Sequence, residues 1–328
     1  MKTKRFLGLF SVIISLSVLS SCSKDEYRKL NGMVWNTTFH ITYDGERDLT
    51  DSVYAVLNQV SASLNVFDDS SLISKVNSAD SIKVDNDFIN VYNMSKQINR
   101  QSNGAFDPTL GPLIDAWGFG KGHTATVDTL RLDSLLNITG IGRTELRNGV
   151  LYKETPLIRF NFSAIAKGYG CDRIGEMLSA NGAKSYLVEI GGEIRCAGKN
   201  AAGKNWKISI DKPILSDSVL HDSQCVIEVT DVGIATSGNY RNFHKSGAST
   251  YGHTISSTTG RPVQTDVLSA TVVAKSCMEA DGLATAMMAM GSKDGAALAE
   301  KMNVAVLLVL SDGSTWQNEA FTKLLSTE

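Results

Sequence analysis

Between Ala280 and Gly291 the chain reads ADGLATAMMAMG. The stretch predicts a helix on which Asp281 and Thr285, four positions apart, share one face. Around them Ala280, Ala284, Ala286 and Met288 are small or apolar. A carboxylate and a hydroxyl on such a face suit a hard cation. Mg²⁺ takes oxygen ligands and is commonly held by one or two protein groups together with substrate phosphates. The plainer reading is an acid early in a helix, favoured there by the dipole. Glu279 fits that reading better, because Ser276 and Glu279 have capping-box spacing and leave Asp281 past the cap.

The N-terminus reads as an address. Lys2, Lys4 and Arg5 precede an apolar run from Phe6 to Ser20, too short to span a bilayer comfortably. Leu19-Ser20-Ser21-Cys22 then matches a bacterial lipobox, in which Cys22 is lipidated and becomes the mature N-terminus. The expectation is a lipoprotein signal peptide over 1–21, a lipidated tether over 22–32 and one catalytic domain over 33–328. A net charge of −2 argues against a nucleic-acid-binding surface. The other four cysteines, Cys171, Cys196, Cys225 and Cys277, lack CxxC spacing, which argues against a zinc site. Export permits a disulfide among them without indicating a pairing.

Periodicity supplies the elements. Met33 to Tyr43 alternates like a strand, and Val53, Val56, Leu57, Val60 and Leu64 recur at helical spacing from about Asp51. Further helices are expected near Asp87–Ser102, Val127–Asn137, Ala164–Ala180 and Cys277–Met290. Asn148-Gly149 signals a type I′ hairpin over Thr144–Tyr152. Strands are expected at 157–162, 186–190, 206–211, 226–230, 268–274 and 304–310. Strands alternate with helices but hairpins intrude, which points to a mixed-sheet α/β or α+β fold in one compact domain.

Several stretches carry chemistry, each with a plain alternative. Ala166-Lys167-Gly168 opens a helix after a strand, which suits an anion held by free N–H groups and a lysine, or close packing through glycine. Glu189-Ile190-Gly191-Gly192-Glu193 is a hairpin turn or a surface pressed against a ligand. Trp117, among glycines in 117–120, stacks on a planar ring or packs in the core. His253 is a proton acceptor or a structural histidine.

The order of these stretches resembles the ApbE family of FAD:protein FMN transferases, from about Gly32 to near the C-terminus. The resemblance rests on GAFDPTLGPLIDAWGFG at 104–120, NFSAIAKGYGCDRI at 161–174, LVEIGGEIR at 187–195, VGIATSGNYRNF at 232–243, GHTISSTTGRP at 252–262 and ADGLATAMMAMG at 280–291. It implies a T-fold-like domain and Mg²⁺-dependent transfer of FMN from FAD to a Thr or Ser hydroxyl of an acceptor protein, with AMP leaving. By motif matching, Asp281, Thr285 and the backbone oxygen of Ala166 become metal ligands, and His253 the catalytic histidine. Met33, Phe67, Phe106, Trp117, Asn161, Lys167, Glu189, Gly191, Gly192, Glu193 and Ser237 fall in the flavin-nucleotide site. The implied partners are FAD, acceptor subunits of membrane redox complexes and, through the anchor, the membrane. The implied location is the periplasmic face, with cell-surface exposure as the alternative.

The chain departs from the family pattern at three places. Phe67 stands where a tyrosine is common, Ser256-Ser257 replaces an Asp-Pro, and Asn161 replaces an aspartate. Two other readings stay open: an FAD pyrophosphatase using water, and a non-enzymatic flavin-binding lipoprotein.

Overall fold

The structure is a computed structural model and describes residues 27–120, 131–213, 222–238, 243–246, 249–252 and 254–326. Tyr27–Val34 (β1) and Thr37–Asp44 (β2) form a hairpin. Its turn residues Trp35 and Asn36 both have positive φ, 49° and 60°, the type I′ geometry that follows strand twist. Next come Thr50–Leu64 (α1), Leu72–Asn77 (α2), Ser81–Lys83 (β3), Asn86–Gln101 (α3), Gly111–Ala116 (α4) and Leu132–Leu136 (α5). The hairpin Thr144–Arg147 (β4) and Val150–Lys153 (β5) precedes the long helix Ala166–Ala180 (α6). Then follow Tyr186–Ile190 (β6), Glu193–Ala197 (β7), Trp206–Asp211 (β8), Ser223–Val229 (β9), Val232–Gly238 (β10), Phe243–Ser246 (β11), Ser249–Gly252 (β12) and Val267–Ala274 (β13). The chain ends with Cys277–Met290 (α7), Ser292–Met302 (α8), Ala305–Leu310 (β14), Thr315–Gln317 (β15) and Glu319–Thr322 (α9).

Eight strands make the central sheet in the order β1-β2-β6-β7-β10-β13-β14-β15. Both of its faces are covered. Phe39, Ile41, Val188, Ile190, Val272, Val306 and Leu308 point into the larger core, shared with α1, α3, α6 and α7. Cys196, Ile234, Val273, Ala305 and Leu307 point the other way, onto the β8–β9 hairpin and Phe321 of α9. Burial on both sides explains why β14 reads as an unbroken apolar run, Ala305 to Leu310, rather than an alternating one. The helix α7 packs against α3, α6, α8, β10 and β13, so small and apolar residues cover it on all sides. Within the larger core, Phe88 meets Phe160 and Phe162 edge-on, with centroids 5.8 and 5.2 Å apart.

The α+β expectation holds, and every ladder between named strands is antiparallel rather than mixed. Hairpin connections, with the longer helices α1, α3, α6 and α7 gathered on one face, produce that pattern. The strand expected at 157–162 is absent. Ile158, Phe160 and Phe162 do alternate inward. Their backbone finds other partners, however: Asn77 brackets Phe160 with bonds of 2.6 and 2.9 Å, and Asn161 N–H donates to Pro108 O at 2.7 Å. The helix expected at 127–137 is described only from Leu132, since 121–130 lie outside the described residues. β1 begins at Tyr27, inside the span read as a tether, because its ladder to β2 extends the central sheet by one strand. Cys22 lies outside the described residues. The four cysteines from Cys171 onward are free thiols.

Replacing Phe88 with alanine would leave a cavity among three aromatic rings. We expect Phe88→Ala to cost about 3–5 kcal/mol, read as a lowered urea midpoint at unchanged slope.

Candidate active site

A cavity of about 1730 Å³ opens beside α6 and α7. Its charged floor comes from three elements. Lys167 sits in the first turn of α6, Glu193 is the first residue of β7, and Asp281 lies in the middle of buried α7. Lys167 and Glu193 form an ion pair. Asp281, 3% exposed, accepts the N–H of Gly168 at 3.0 Å through Oδ2. Glu193 Oε2 is buried without a hydrogen-bond partner.

Burial pushes the carboxyls of both Glu193 and Asp281 above the ordinary carboxylate range, against the pull of Lys167. Burial also pulls Lys167 down, but the charges of Glu193 and Asp281 outweigh it and hold the ammonium above its usual value. Two carboxylates thus share one fixed cation in a dry place. That arrangement favours a further positive charge or a proton.

Thr285 lies one turn along α7 from Asp281. Its hydroxyl is 3.1 Å from Ser237 Oγ on β10 and 3.5 Å from Ala164 O ahead of α6. Ala166 is also in the cavity wall. Asp281 brings a carboxylate, Thr285 and Ser237 bring hydroxyls and Ala164 a carbonyl beside Thr285, all hard oxygens of the kind Mg²⁺ takes. The orphaned oxygen of Glu193 and the surplus of negative charge agree with that fit. Among the described residues no cluster of three or more His, Cys, Asp and Glu is arranged for a metal, so a cation here draws on hydroxyl and carbonyl oxygens beside the one carboxylate of Asp281.

The glycines serve packing. A Cβ on Gly168 would stand 2.3 Å from Cys277 O and 2.8 Å from Asp281 Cβ, so α6 and α7 touch backbone to backbone there. One on Gly170 would stand 2.6 Å from the Trp35 ring. Gly191 and Gly192 form the β6–β7 turn with φ of 62° and 104°, and both face the cavity. The hairpin reading of that stretch holds, and the turn faces the cavity. Glu189 fastens the turn: one oxygen accepts Gly192 N–H at 2.6 Å and the other is 2.6 Å from His40 Nδ1.

Of the other expected site residues, Phe106, Asn161 and Ser237 line the cavity, and Phe67 stands at its rim, 49% exposed. Met33 does not: it is 72% exposed on β1 and absent from the wall. Trp117 is also outside the wall. Its indole N–H donates to Gly260 O at 2.7 Å, and its ring packs on the cluster of Leu110, Leu113, Leu132 and Ile255. It braces the turn after Thr254, and its neighbours Gly118 and Phe119 do the lining. His253 lies outside the described residues, although Thr254 beside it is in the wall.

Sequence reasoning missed His40 and Asp107. His40 reaches the site only because its register places it opposite Glu189. Asp107 lines the cavity with its carboxyl raised by burial, while bonds from Thr109 and the Ile141 N–H oppose the shift. Its place directly before Pro108 and two before Thr109 was the available signal.

Removing the cation of the floor would leave Glu193 and Asp281 buried without compensation. We expect Lys167→Met to cost about 3 kcal/mol at neutral pH, the low end for a broken buried pair since a third of the Lys167 side chain reaches solvent. Adding Glu193→Gln should recover most of that loss in urea titrations.

The sequence model of the ApbE family matches residues 35–308. The FAD:protein FMN transferase of Vibrio cholerae is 36% identical over 331 residues, covering 96% of this chain and 98% of that protein. The FAD:protein FMN transferase of Haemophilus influenzae is 32% identical over 346 residues, covering 99% of each. The solved flavin transferase ApbE from Vibrio cholerae superposes with a TM-score of 0.82 at 35% identity, covering 92% of this chain and all of that one. This chain belongs to the ApbE family.

Proposed function

We propose that this protein is an FAD:protein FMN transferase that uses Mg²⁺ to move FMN from FAD onto a Thr or Ser hydroxyl of an acceptor protein. The supporting observation is the floor made by half-buried Lys167 with buried Glu193 and Asp281 beside the Thr285 hydroxyl, in a cavity of about 1730 Å³. Single small-molecule pockets run from about 300 to 1,000 Å³, so this cavity has room for a dinucleotide and an incoming hydroxyl together. Relatives matched over nearly their full length are named FAD:protein FMN transferases, which supports the transfer of FMN from FAD.

In the reaction, the acceptor oxygen bonds to the phosphorus on the FMN side of FAD. The bridging P–O bond breaks, AMP leaves with that oxygen, and the hydroxyl proton passes to a base. His253 is assigned that base from family resemblance. Asp281, Thr285 and Ala166 O would hold Mg²⁺, which when bound supplies Lewis-acid stabilisation of the phosphoryl oxygens. Lys167 presents a permanent ammonium to the same phosphates. The Gly191-Gly192 turn lets the nucleotide approach backbone closely, and Glu189 keeps that turn in shape. The aromatic and apolar wall of Phe106, Leu110 and Phe119 excludes water from one side of the cavity.

Cys22 is assigned the lipid anchor and the periplasmic membrane face the location, with membrane redox subunits as acceptors. Tyr27 stands five positions after Cys22, so the anchor would hold the β1 edge of the sheet close to the bilayer. The decisive experiment is mass spectrometry of an acceptor protein incubated with this chain, FAD and Mg²⁺. A mass gain equal to FMN less water supports transfer, and an unmodified acceptor with FMN and AMP in solution favours the hydrolase.

Two variants test the assignments. Asp281→Ala should abolish Mg²⁺-dependent turnover while the thermal unfolding profile stays cooperative, and full transfer by this variant at ordinary Mg²⁺ would refute the metal assignment. The open position of Phe67 at the rim favours slow hydrolysis as a side reaction, since no hydroxyl there orders the acceptor or the nucleotide. One hydrogen bond is worth about 0.5–1.5 kcal/mol, and at a half-exposed position the low end applies. We expect Phe67→Tyr to lower acceptor-free AMP release about twofold relative to transfer. An unchanged ratio would show the ring alone to matter.

A further inference from the structure

We propose that Asp172 is a positioning residue whose carboxylate, projecting from α6, clamps the start of α7 and so sets the spacing between Ala166 on one helix and Asp281 and Thr285 on the other. This inference rests on the reading of those three residues as the cation site.

The observation is a helix cap supplied by a neighbouring helix. Asp172 accepts the N–H of Cys277 at 2.9 Å through Oδ1 and that of Met278 at 2.8 Å through Oδ2. The helix's own cap, Ser276 Oγ, takes only the next N–H, that of Glu279, at 3.2 Å. Three of the free donors at the start of α7 are thus satisfied, two of them across the interface. A cap in the same chain segment stabilises a helix. A cap from another helix also fixes where the first helix sits.

Asp172 lies one turn after Gly168 on the same face of α6. The two helices are held at both residues: Gly168 N–H donates to Asp281, and Asp172 takes the N–H groups one turn earlier in α7. Arg195 of β7 completes the clamp. Its Nε is 3.8 Å from Asp172 Oδ1, and its Nη1 donates to Lys275 O at 2.5 Å. Burial raises the Asp172 carboxyl to about 6, while the two N–H donors and Arg195 oppose the rise. Its two N–H donors and its place at the positive end of α7 both favour the carboxylate form. Asp172 is not part of the cavity wall, so it acts on the site through the placement of α6 and α7 and not by contact.

The consequence is geometric. One residue of slip along a helix is about 1.5 Å, whereas Mg²⁺ demands a near-ideal shell at about 2.0–2.1 Å. A clamp that prevents even partial slip protects the cation site more than it protects the fold.

The test uses the full chain without FAD, with Mn²⁺ as the probe, followed by electron paramagnetic resonance. Asp172→Asn keeps the shape but turns an amide N–H₂ toward a backbone donor. Asp172→Glu keeps the charge and the cap but moves the carboxylate by one methylene. Both should weaken Mn²⁺ binding about ten- to a hundred-fold, and Asp172→Glu should do so at a nearly unchanged melting temperature. In turnover, raising Mg²⁺ should restore the rate of either Asp172 variant and not that of Asp281→Ala. Wild-type Mn²⁺ affinity in Asp172→Glu overturns the proposal, as does wild-type affinity in a folded Asp172→Asn, whatever its stability. If Asp281→Ala itself binds Mn²⁺ like the wild type, the cation reading fails instead, and the two failures are told apart.

Discussion

Asp281 accepts a backbone N–H across the contact between α6 and α7, and much of the architecture follows from keeping that carboxylate dry. A helix that carries Asp281 in its middle and is otherwise mostly Ala, Gly, Leu and Met is too apolar to lie on a surface. It is enclosed by β10 and β13 on one side and by α3, α6 and α8 on the others. Gly168 makes the enclosure tight enough for the acid to reach a backbone donor, since any side chain there would strike the Cys277 carbonyl. Leaving a charged group buried is costly, and the fold compensates with Lys167, held in place by Glu193.

The same cluster gives the cavity its chemistry. Lys167 is one charge against two, and Glu193 keeps an oxygen without a partner. A site with surplus negative charge and hard oxygen donors attracts a divalent cation, and a site with a cation and an ammonium attracts phosphates. The polar end sits deep, where hydrogen bonds and charges are strong. Under the proposed function a flavin ring and an acceptor would meet the wall of Phe106 and Phe119 and the rim at Phe67. Stability and reactivity are in tension at this floor, because the groups that would hold a cation are the groups that destabilise the protein without one.

The supporting shell reaches beyond residues that touch the cavity. Trp117 spends its indole N–H on the Gly260 carbonyl, and Ser257 donates to Gly104 O at 2.6 Å. Two loops far apart in sequence are thereby fixed to each other next to Thr254. Glu189 and His40 do the same for the Gly191-Gly192 turn. These contacts explain why aromatic residues and glycines in the 104–120 stretch need not contact a flavin to matter for the site.

Much of this was legible in the sequence. The spans of α1, α3, α6 and α7, the 144–153 hairpin and the strands at 186–190 and 206–211 follow from local periodicity and turn residues, which act within a few positions. The identity of Asp281, Thr285, Lys167 and Glu193 as a group came from motif order. Their meeting at one floor did not, because 113 positions separate Gly168 from Asp281. Local pattern also misread 157–162: the alternation was real, but a strand exists only where a partner accepts its backbone, and here Asn77 took that place. The same limit hid the pairing of His40 with Glu189, the clamp by Asp172 and the position of Met33 outside the cavity. The sequence by itself determined which segments could be helices and strands and which residues had chemistry to offer, since propensity and amphipathic period are local properties. Only the tertiary structure decided which of those residues face one another and which become buried charges, because burial and pairing depend on what the rest of the chain brings alongside.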